Sequence, residues 1–356
     1  PAPPVRTALV GVGYWGPKLA RCAYALPEIE LVAVCDISAE RRDRLARQYP
    51  NIHTTASFEE VVEDESVEAV ILATPISTHY ELARESLERG RHVLVEKPLA
   101  TTGAEALELA ELARDRGLVL VPGHTFLYSP PVNYVRGVIA SGELGEIYAI
   151  SSSRVNLGIH QSDKSVLWDL APHDFSILRY WLGEMPAEVS VLGRDCIVDG
   201  IPDVAFINMR FASGPVAHVE LAWLAPSKLR RTTIIGSDKM AVYDDTSSEP
   251  VRIFNSGVTL DEPRSFGEYQ LSYRVGDIVS PRLENVEPLM EELTDFADSI
   301  RSGVPARSTA ELGVDVVRMI EQADFSIVES GGAGAGNGDT SVTDRAHRRP
   351  EATVVA

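Results

Sequence analysis

Four short stretches of this chain combine residue types and spacings that could do chemistry. The first is Gly11-Val12-Gly13-Tyr14-Trp15-Gly16, preceded by an apolar β-type run and followed by a helical stretch, a second apolar run and Asp36. Strand, glycine turn, helix, strand and acidic residue stand in the order a dinucleotide site requires. Gly11 would permit the tight turn, Gly13 close approach of a pyrophosphate, and Gly16 close packing of helix on strand. The helix start offers free N–H donors and a positive dipole end. Asp36, twenty residues beyond Gly16, is placed to accept from a ribose hydroxyl.

The second stretch, Glu96-Lys97-Pro98, ends an apolar run that reads as a parallel strand. Ligands of open α/β sheets bind outside the carboxyl ends of strands, so topology points Glu96 and Lys97 at the crevice. A lysine there could equally be only solvated. The third, Thr74-Pro75-Ile76-Ser77-Thr78-His79, similarly ends the fourth strand and opens a helix. Its polar groups could meet cofactor ribose or the nicotinamide amide, or Ser77 or Thr78 could simply cap the helix. In the fourth, Trp168-Asp169-Leu170-Ala171-Pro172-His173-Asp174, Asp169 and His173 are four apart and can share one helix face. Such a pair could orient an imidazole for proton transfer near neutrality. Spacing alone also allows Asp169 or Asp174 as a helix cap and His173 as a surface residue. No metal-binding pattern of histidines or paired cysteines accompanies it.

The elements that must position these residues fall into two groups. Apolar, β-branched runs at 7–10, 31–35, 67–73, 92–95 and 118–121 alternate with helical patterns such as 78–89 and 103–116. In the latter, Ala106, Leu109, Ala110 and Ala113 recur at helical spacing. This alternation predicts a parallel sheet covered on both faces by helices, over 1–123; the stretch 51–63 has the least defined pattern. Beyond Pro122-Gly123 the spacing predicts a helix over 131–141, a strand over 146–154 and a helix from near Pro172 to Leu182. Strands at 206–211, 216–223, 229–235 and 240–243, linked by turn formers, predict an antiparallel meander. Helices at about 287–302 and 309–328 follow, so 124–330 should form an α+β domain with a large, mainly antiparallel open sheet. Residues 331–356, opening on a glycine-rich run, read as a disordered tail.

Composition narrows the partners. A formal net charge of −19 opposes nonspecific binding to nucleic acid or anionic membrane, and no run of eighteen apolar residues offers a transmembrane helix. Cys22, Cys35 and Cys196 are too dispersed for a disulfide framework, and residues 1–6 lack signal-peptide architecture, which together predict a cytoplasmic protein. Asp36 would repel a 2′-phosphate, favouring NAD over NADP, although Arg41 and Arg42 lie close enough to dilute that repulsion. Alternating Phe206, Val219, Leu221 and Trp223 suggest an apolar outer sheet face that would make a homodimer or homotetramer.

The ordered motifs GVGYWG at 11–16, Asp36, ATP…TH at 73–79, EKP at 96–98, GHTFLYSP at 123–130 and WDLAPHD at 168–174 resemble the Gfo/Idh/MocA family of nicotinamide-dependent oxidoreductases, over about residues 5–330. The resemblance implies a Rossmann domain followed by an α+β domain. It further implies that Lys97, Asp169 and His173 converge on the substrate carbon facing the nicotinamide. By the same token Gly11, Gly13, Tyr14, Trp15, Gly16, Asp36, Arg41, Thr74, Pro75, Ser77, His79, Glu96 and Lys97 would contact cofactor. A narrower likeness, in Arg154-Val155-Asn156-Leu157-Gly158, Val166-Leu167-Trp168 and Pro226-Ser227-Lys228-Leu229-Arg230, is to the branch acting on nucleotide-linked sugars at C3. Tyr128, Arg154, Asn156, Gln161, Trp168 and Arg230 are its candidates for holding substrate. The chain departs from that branch at Ile159-His160-Gln161, where a basic residue is common, which weakens the case for uronate recognition there. Other readings within the resemblance are an inositol or free-sugar dehydrogenase, an NAD-dependent glycosidase, and a cofactor-binding regulator without catalysis.

Overall fold

The computed structural model describes residues 3–158, 164–261 and 270–332. Gln161 and most of the tail predicted at 331–356 lie outside them. The first half forms a six-stranded sheet of β1 (Val5–Val10), β2 (Ile29–Cys35), β3 (His53–Thr55), β4 (Ala69–Leu72), β5 (His92–Glu96) and β6 (Leu120–Gly123). The strands are parallel throughout and lie in the order β3-β2-β1-β4-β5-β6. Helices α1 (Gly16–Ala25), α2 (Ala39–Gln48), α3 (Phe58–Glu63), α4 (His79–Glu88) and α5 (Gly103–Arg116) make the crossovers. Every residue of β4 is buried, as a strand covered on both faces must be. The chain reverses its direction of winding between β1 and β4, which opens the crevice at their carboxyl ends. The stretch 51–63 resolves into β3 and α3. Helix α5 has the bounds its pattern predicted; a Thr102–Glu105 capping box starts it, and Gly117 at φ 65° ends it.

The second half continues with α6 (Pro130–Ala140), β7 (Ile147–Leu157), α7 (Val166–Leu182), β8 (Pro186–Arg194), β9 (Val204–Phe211), β10 (Val216–Ala222), β11 (Leu224–Gly236), β12 (Met240–Asp244), β13 (Val251–Phe254), β14 (Gly257–Asp261), β15 (Gln270–Arg274) and β16 (Ile278–Val279). Eight of these strands form a sheet in the order β16-β13-β12-β11-β7-β10-β9-β8. The expected meander is therefore interrupted: β7 inserts between β10 and β11, parallel to the former and antiparallel to the latter. Helix α7 also differs from expectation. It begins at Val166, six residues before Pro172, which sits inside the helix. A proline there removes the N–H that would bond the carbonyl of Trp168.

Helices α6, α7 and α9 (Ala310–Gly332) cover the inner face of this sheet. Val219, Leu221 and Trp223 are fully buried in that core, so three of the four side chains expected to line an associating outer face point inward. The fourth, Phe206, lies on the outer face stacked on His218, among polar pairs such as Ser153–Glu220 and His218–Asn208. The C-terminal helices also return across the division expected at residue 123. Leu289, Leu293, Phe296 and Ala297 of α8 (Pro288–Ser302) join the core beneath the parallel sheet, and Val314 and Val317 of α9 join the core on its other side. Among the described residues no helix is long and apolar enough to cross a membrane.

Candidate active site

The glycine turn has the shape a pyrophosphate needs. Gly11 stands at φ +92°, and a Cβ there would lie 2.6 Å from the carbonyl oxygen of Ala73. A Cβ on Gly16 would lie 2.3 Å from the carbonyl oxygen of Gly11, so helix α1 can approach β1 only through glycine. At Gly13 a Cβ would meet nothing within 4 Å. That open space, beside a helix start with no side-chain cap, fits a bound phosphate pair. Asp36 is 6% exposed and accepts from the N–H of Val12 at 2.6 Å and of Ser38 at 2.8 Å. It thus pins the glycine turn while two of about four carboxylate acceptor positions stay available for a ribose. The Arg41 guanidinium stands 3.7 Å from Asp36 and is half-exposed. Tyr14 and Trp15 are exposed, with the Lys18 ammonium 4.1 and 3.9 Å from their ring centroids.

The turn after β4 is tied differently from expectation. Thr78 donates its hydroxyl to Thr74 at 2.8 Å, Pro75 and Ser77 are exposed, and neither Ser77 nor Thr78 caps a helix. His79 is buried, and its two ring nitrogens lie 2.8 Å from the Pro98 carbonyl and 2.9 Å from that of Thr74. The neutral ring donates to one of these carbonyls and packs against the other, so His79 bridges the two loops instead of reaching the crevice. Burial holds its pKa below the ordinary value.

Lys97, Asp169 and His173 do converge, but with a division of labour the spacing did not suggest. Lys97 directly follows β5 and donates from Nζ to the Asp169 carbonyl at 2.7 Å and to Asp169 Oδ1 at 3.3 Å. Asp169 Oδ2 accepts from the Trp223 indole at 3.0 Å. The Asp169 carboxylate therefore orients Lys97, and the expected Asp169–His173 hydrogen bond is not made; His173 Nδ1 is enclosed without a partner. The His173 ring instead stands edge-on to Phe126, with centroids 5.0 Å apart. Burial, then the nearby cations of Lys97, Arg154 and Arg230, hold His173 well below the usual histidine pKa, so its imidazole is neutral at pH 7.

Around Phe126 the structure gathers two of the candidate substrate residues. The guanidinium carbons of Arg154 and Arg230 lie 4.6 and 5.7 Å from its ring centroid. Arg154 is buried and paired with Asp174 at 2.5 Å, and Asp174 also accepts from Ser152 at 2.7 Å. One Arg154 nitrogen, Nη1, has no partner. Arg230 pairs with Asp245 at 3.1 Å. The remaining candidates are placed elsewhere. Tyr128 is 2% exposed, donates to Asp295 and accepts from the N–H of Ser308, so its hydroxyl locks α8 to the core and does not face substrate. Trp168 packs between the two cores and turns its indole N–H toward Asp324 of α9 at 3.4 Å. The Asn156 amide donates to the neighbouring Leu157 carbonyl at 3.2 Å.

Sequence reasoning missed Phe126, Trp223, Asp174, His124 and Glu292. Phe126 lay inside a quoted motif and Asp174 adjoined His173, but nothing local marks either as a site residue. Glu96 and Glu292 form a buried acidic pair below the crevice, with Glu292 accepting from the Thr125 hydroxyl at 2.9 Å. Burial raises Glu96 to about 7 and Glu292 well above its ordinary value. His124, enclosed and near the Lys97 ammonium, is held near 3 by burial and by that charge.

A glycine-cradled crevice at a parallel-sheet switch point, facing a lysine and a neutral histidine, defines a nicotinamide-dinucleotide oxidoreductase. Residues 5–124 match the oxidoreductase family model with an NAD-binding Rossmann fold, and residues 132–242 match the GFO/IDH/MocA C-terminal domain. The chain belongs to the Gfo/Idh/MocA family. It is 29% identical over 245 residues to UDP-N-acetylglucosamine 3-dehydrogenase from Acidithiobacillus ferrooxidans, covering 67% of this chain and 74% of that one. A crystal structure of that enzyme superposes with TM-score 0.76 at 26% identity, over 90% of this chain and 97% of that one. GenD2 from gentamicin A biosynthesis, solved in complex with NAD, shares the fold with TM-score 0.78 at 24% identity, over 92% and 95% of the two chains.

Proposed function

We propose that this protein moves hydride between a nicotinamide dinucleotide, NAD in preference to NADP, and a secondary alcohol or ketone of a sugar, with C3 of a nucleotide-linked sugar as the reacting position. The observation that carries the reading is the approach of the Lys97 ammonium, just beyond the carboxyl end of β5, to the enclosed His173 imidazole, whose pKa it helps to lower. Similarity to a UDP-N-acetylglucosamine 3-dehydrogenase supports the sugar, and two guanidiniums beside Phe126 supply donors for phosphate or hydroxyl groups.

In the oxidation direction His173, neutral for the reasons above, accepts the proton of the reacting hydroxyl. Lys97, held by Asp169, donates a hydrogen bond to the same oxygen and stabilises negative charge building there. A bound nicotinamide supplies the hydride acceptor. In reduction the His173 imidazolium returns the proton to the oxygen while Lys97 keeps its hydrogen bond to it. Asp36 places a negative charge where a 2′-phosphate would have to sit.

The test is a panel of UDP-N-acetylglucosamine, its uronate, free sugars, inositols and aryl glycosides, each with NAD, read by NADH formation and by product analysis. Oxidation of the nucleotide sugars at C3 is expected, and K97A and H173A should each lower kcat by about 10²–10⁴-fold while cofactor affinity holds. Turnover of inositols or free sugars alone, or glycoside cleavage without NADH, overturns the substrate assignment. Near-wild-type turnover in either variant overturns that residue's role.

A further inference from the structure

Asp169 is gripped from two sides. Its Oδ1 and its carbonyl take two of the three N–H donors of Lys97, and its Oδ2 takes the indole N–H of Trp223. Trp223 is fully buried, and its backbone is held at both ends. Its N–H donates to the Asp203 carbonyl at 3.0 Å, and its own carbonyl accepts from Gly158 at 2.8 Å. Asp203 is itself anchored, since its carboxylate accepts from the N–H groups of Cys196 and Ile197. Against the indole stands Gly158, where a Cβ would come within 2.3 Å of the ring. An indole wedged this way cannot swing aside, and its N–H has one direction to point.

We propose that Trp223 is a positioning residue: it fixes the rotation of the Asp169 carboxylate and, through it, aims the remaining N–H of Lys97 into the crevice. A tryptophan serving only the core would need its volume and some acceptor for its N–H. Here the acceptor is the second oxygen of a carboxylate whose first oxygen already holds Lys97. Without the indole that carboxylate can turn, and Lys97 loses its fixed direction. This inference rests on the proposed role of Lys97.

W223F keeps an aromatic ring and deletes the N–H. A hydrogen bond to a charged group lost in this way should lower kcat by about 10- to 100-fold, with the dissociation constant for NAD unchanged. In a D169A background W223F should add less than about twofold, because the two residues act along one path. Independently of turnover, protein labelled with 15N-indole tryptophan gives four resonances, one per tryptophan. The Trp223 resonance is assigned by its loss in W223F, or by elimination with W15F, W168F and W181F if W223F does not fold. It should lie downfield in the wild type and move upfield in D169A. Wild-type kcat in W223F, an equal loss in the D169A background, or an indole resonance indifferent to D169A would each overturn the proposal. If the wild type oxidises no sugar, the proposed function fails, whereas an indole resonance indifferent to D169A overturns this inference alone.

Discussion

Glu96 offers a direct measure of how the site balances burial against charge. It ends β5 with 8% of its surface exposed, and its carboxylate faces the Lys97 ammonium and N–H, Lys18 and Glu292. Burial outweighs the two cations and raises its pKa from 4.5 to about 7. Between those values the folded chain holds a proton that the unfolded chain has released, so stability falls as pH rises across that window. The stabilisation is complete below the unfolded pKa and is lost as pH passes the folded one. A rise of this size corresponds to about 3 kcal/mol. Glu96→Gln has the same shape and cannot ionise, so it should escape the loss. Urea unfolding of both proteins from about pH 5 to about pH 8 should show the variant gaining up to about 3 kcal/mol on the wild type. Removing Glu96 also removes the charge that helps raise Glu292, so the difference between the proteins reads the coupled pair. Parallel curves would refute the reasoning. A wild type that gains on the variant as pH rises would show that Lys97, not burial, sets the charge of Glu96.

Other substitutions separate folding from function. Gly13→Ala should leave the unfolding midpoint unchanged but weaken NADH binding tenfold or more by fluorescence titration, because its Cβ would enter open space in the cradle. Gly11→Ala should destabilise by at least about 1–2 kcal/mol, because φ +92° and the Ala73 carbonyl both oppose a side chain; unchanged stability would contradict this. Asp174→Ala strands the buried Arg154 guanidinium and should cost about 3–5 kcal/mol in chemical unfolding, and a loss under about 1 kcal/mol would show the pair to be solvated. On the proposed NAD preference, steady-state kinetics should give a higher kcat/KM with NADH than with NADPH, because an Asp36 that bonds the ribose would repel a 2′-phosphate. The reverse order would assign Arg41 the larger influence.

How much was legible depended on whether the determining contacts were local. The glycine turn and α5 were readable because turn geometry, capping and periodicity act within one or two turns of chain. Strands were readable as strands, but not their neighbours: alternation at 216–222 marks β10 equally well whether β11 or β7 lies beside it. Pro172 suggested a helix start because proline suits a first turn, yet α7 begins at Val166 and accommodates the proline inside. Asp169 and His173 are four residues apart, which local spacing reads as a pair. The carboxylate is drawn off by Lys97, 72 residues away, and by Trp223, 54 residues away. Tyr128 had a hydroxyl suited to a sugar, but Asp295 and Ser308, distant in sequence, had already engaged it.

The same distances make the site a product of docking. Lys97 follows the parallel sheet's β5, while Asp169, His173 and Trp223 belong to the second half of the chain, so neither half alone contains the groups proposed to handle the proton. What holds the halves in register is the return of α8 and α9. Arg301 of α8 bonds Glu68 at 2.7 Å just before β4, and Glu287 at the start of α8 pairs with Arg21 of α1. Asp295 and Glu292, on the same helix, bond Tyr128 and Thr125 at 2.9 Å each, on the two sides of Phe126 in sequence. Helix α8 thus carries polar contacts to the parallel sheet and to the short segment bearing Phe126, which meets His173 and both guanidiniums. Burying Glu292 to make one of those contacts costs free energy, since its pKa is forced upward. A carboxyl retained in so unfavourable a place is explained by its position: it holds the Phe126 segment against the end of β5, from which Lys97 reaches Asp169.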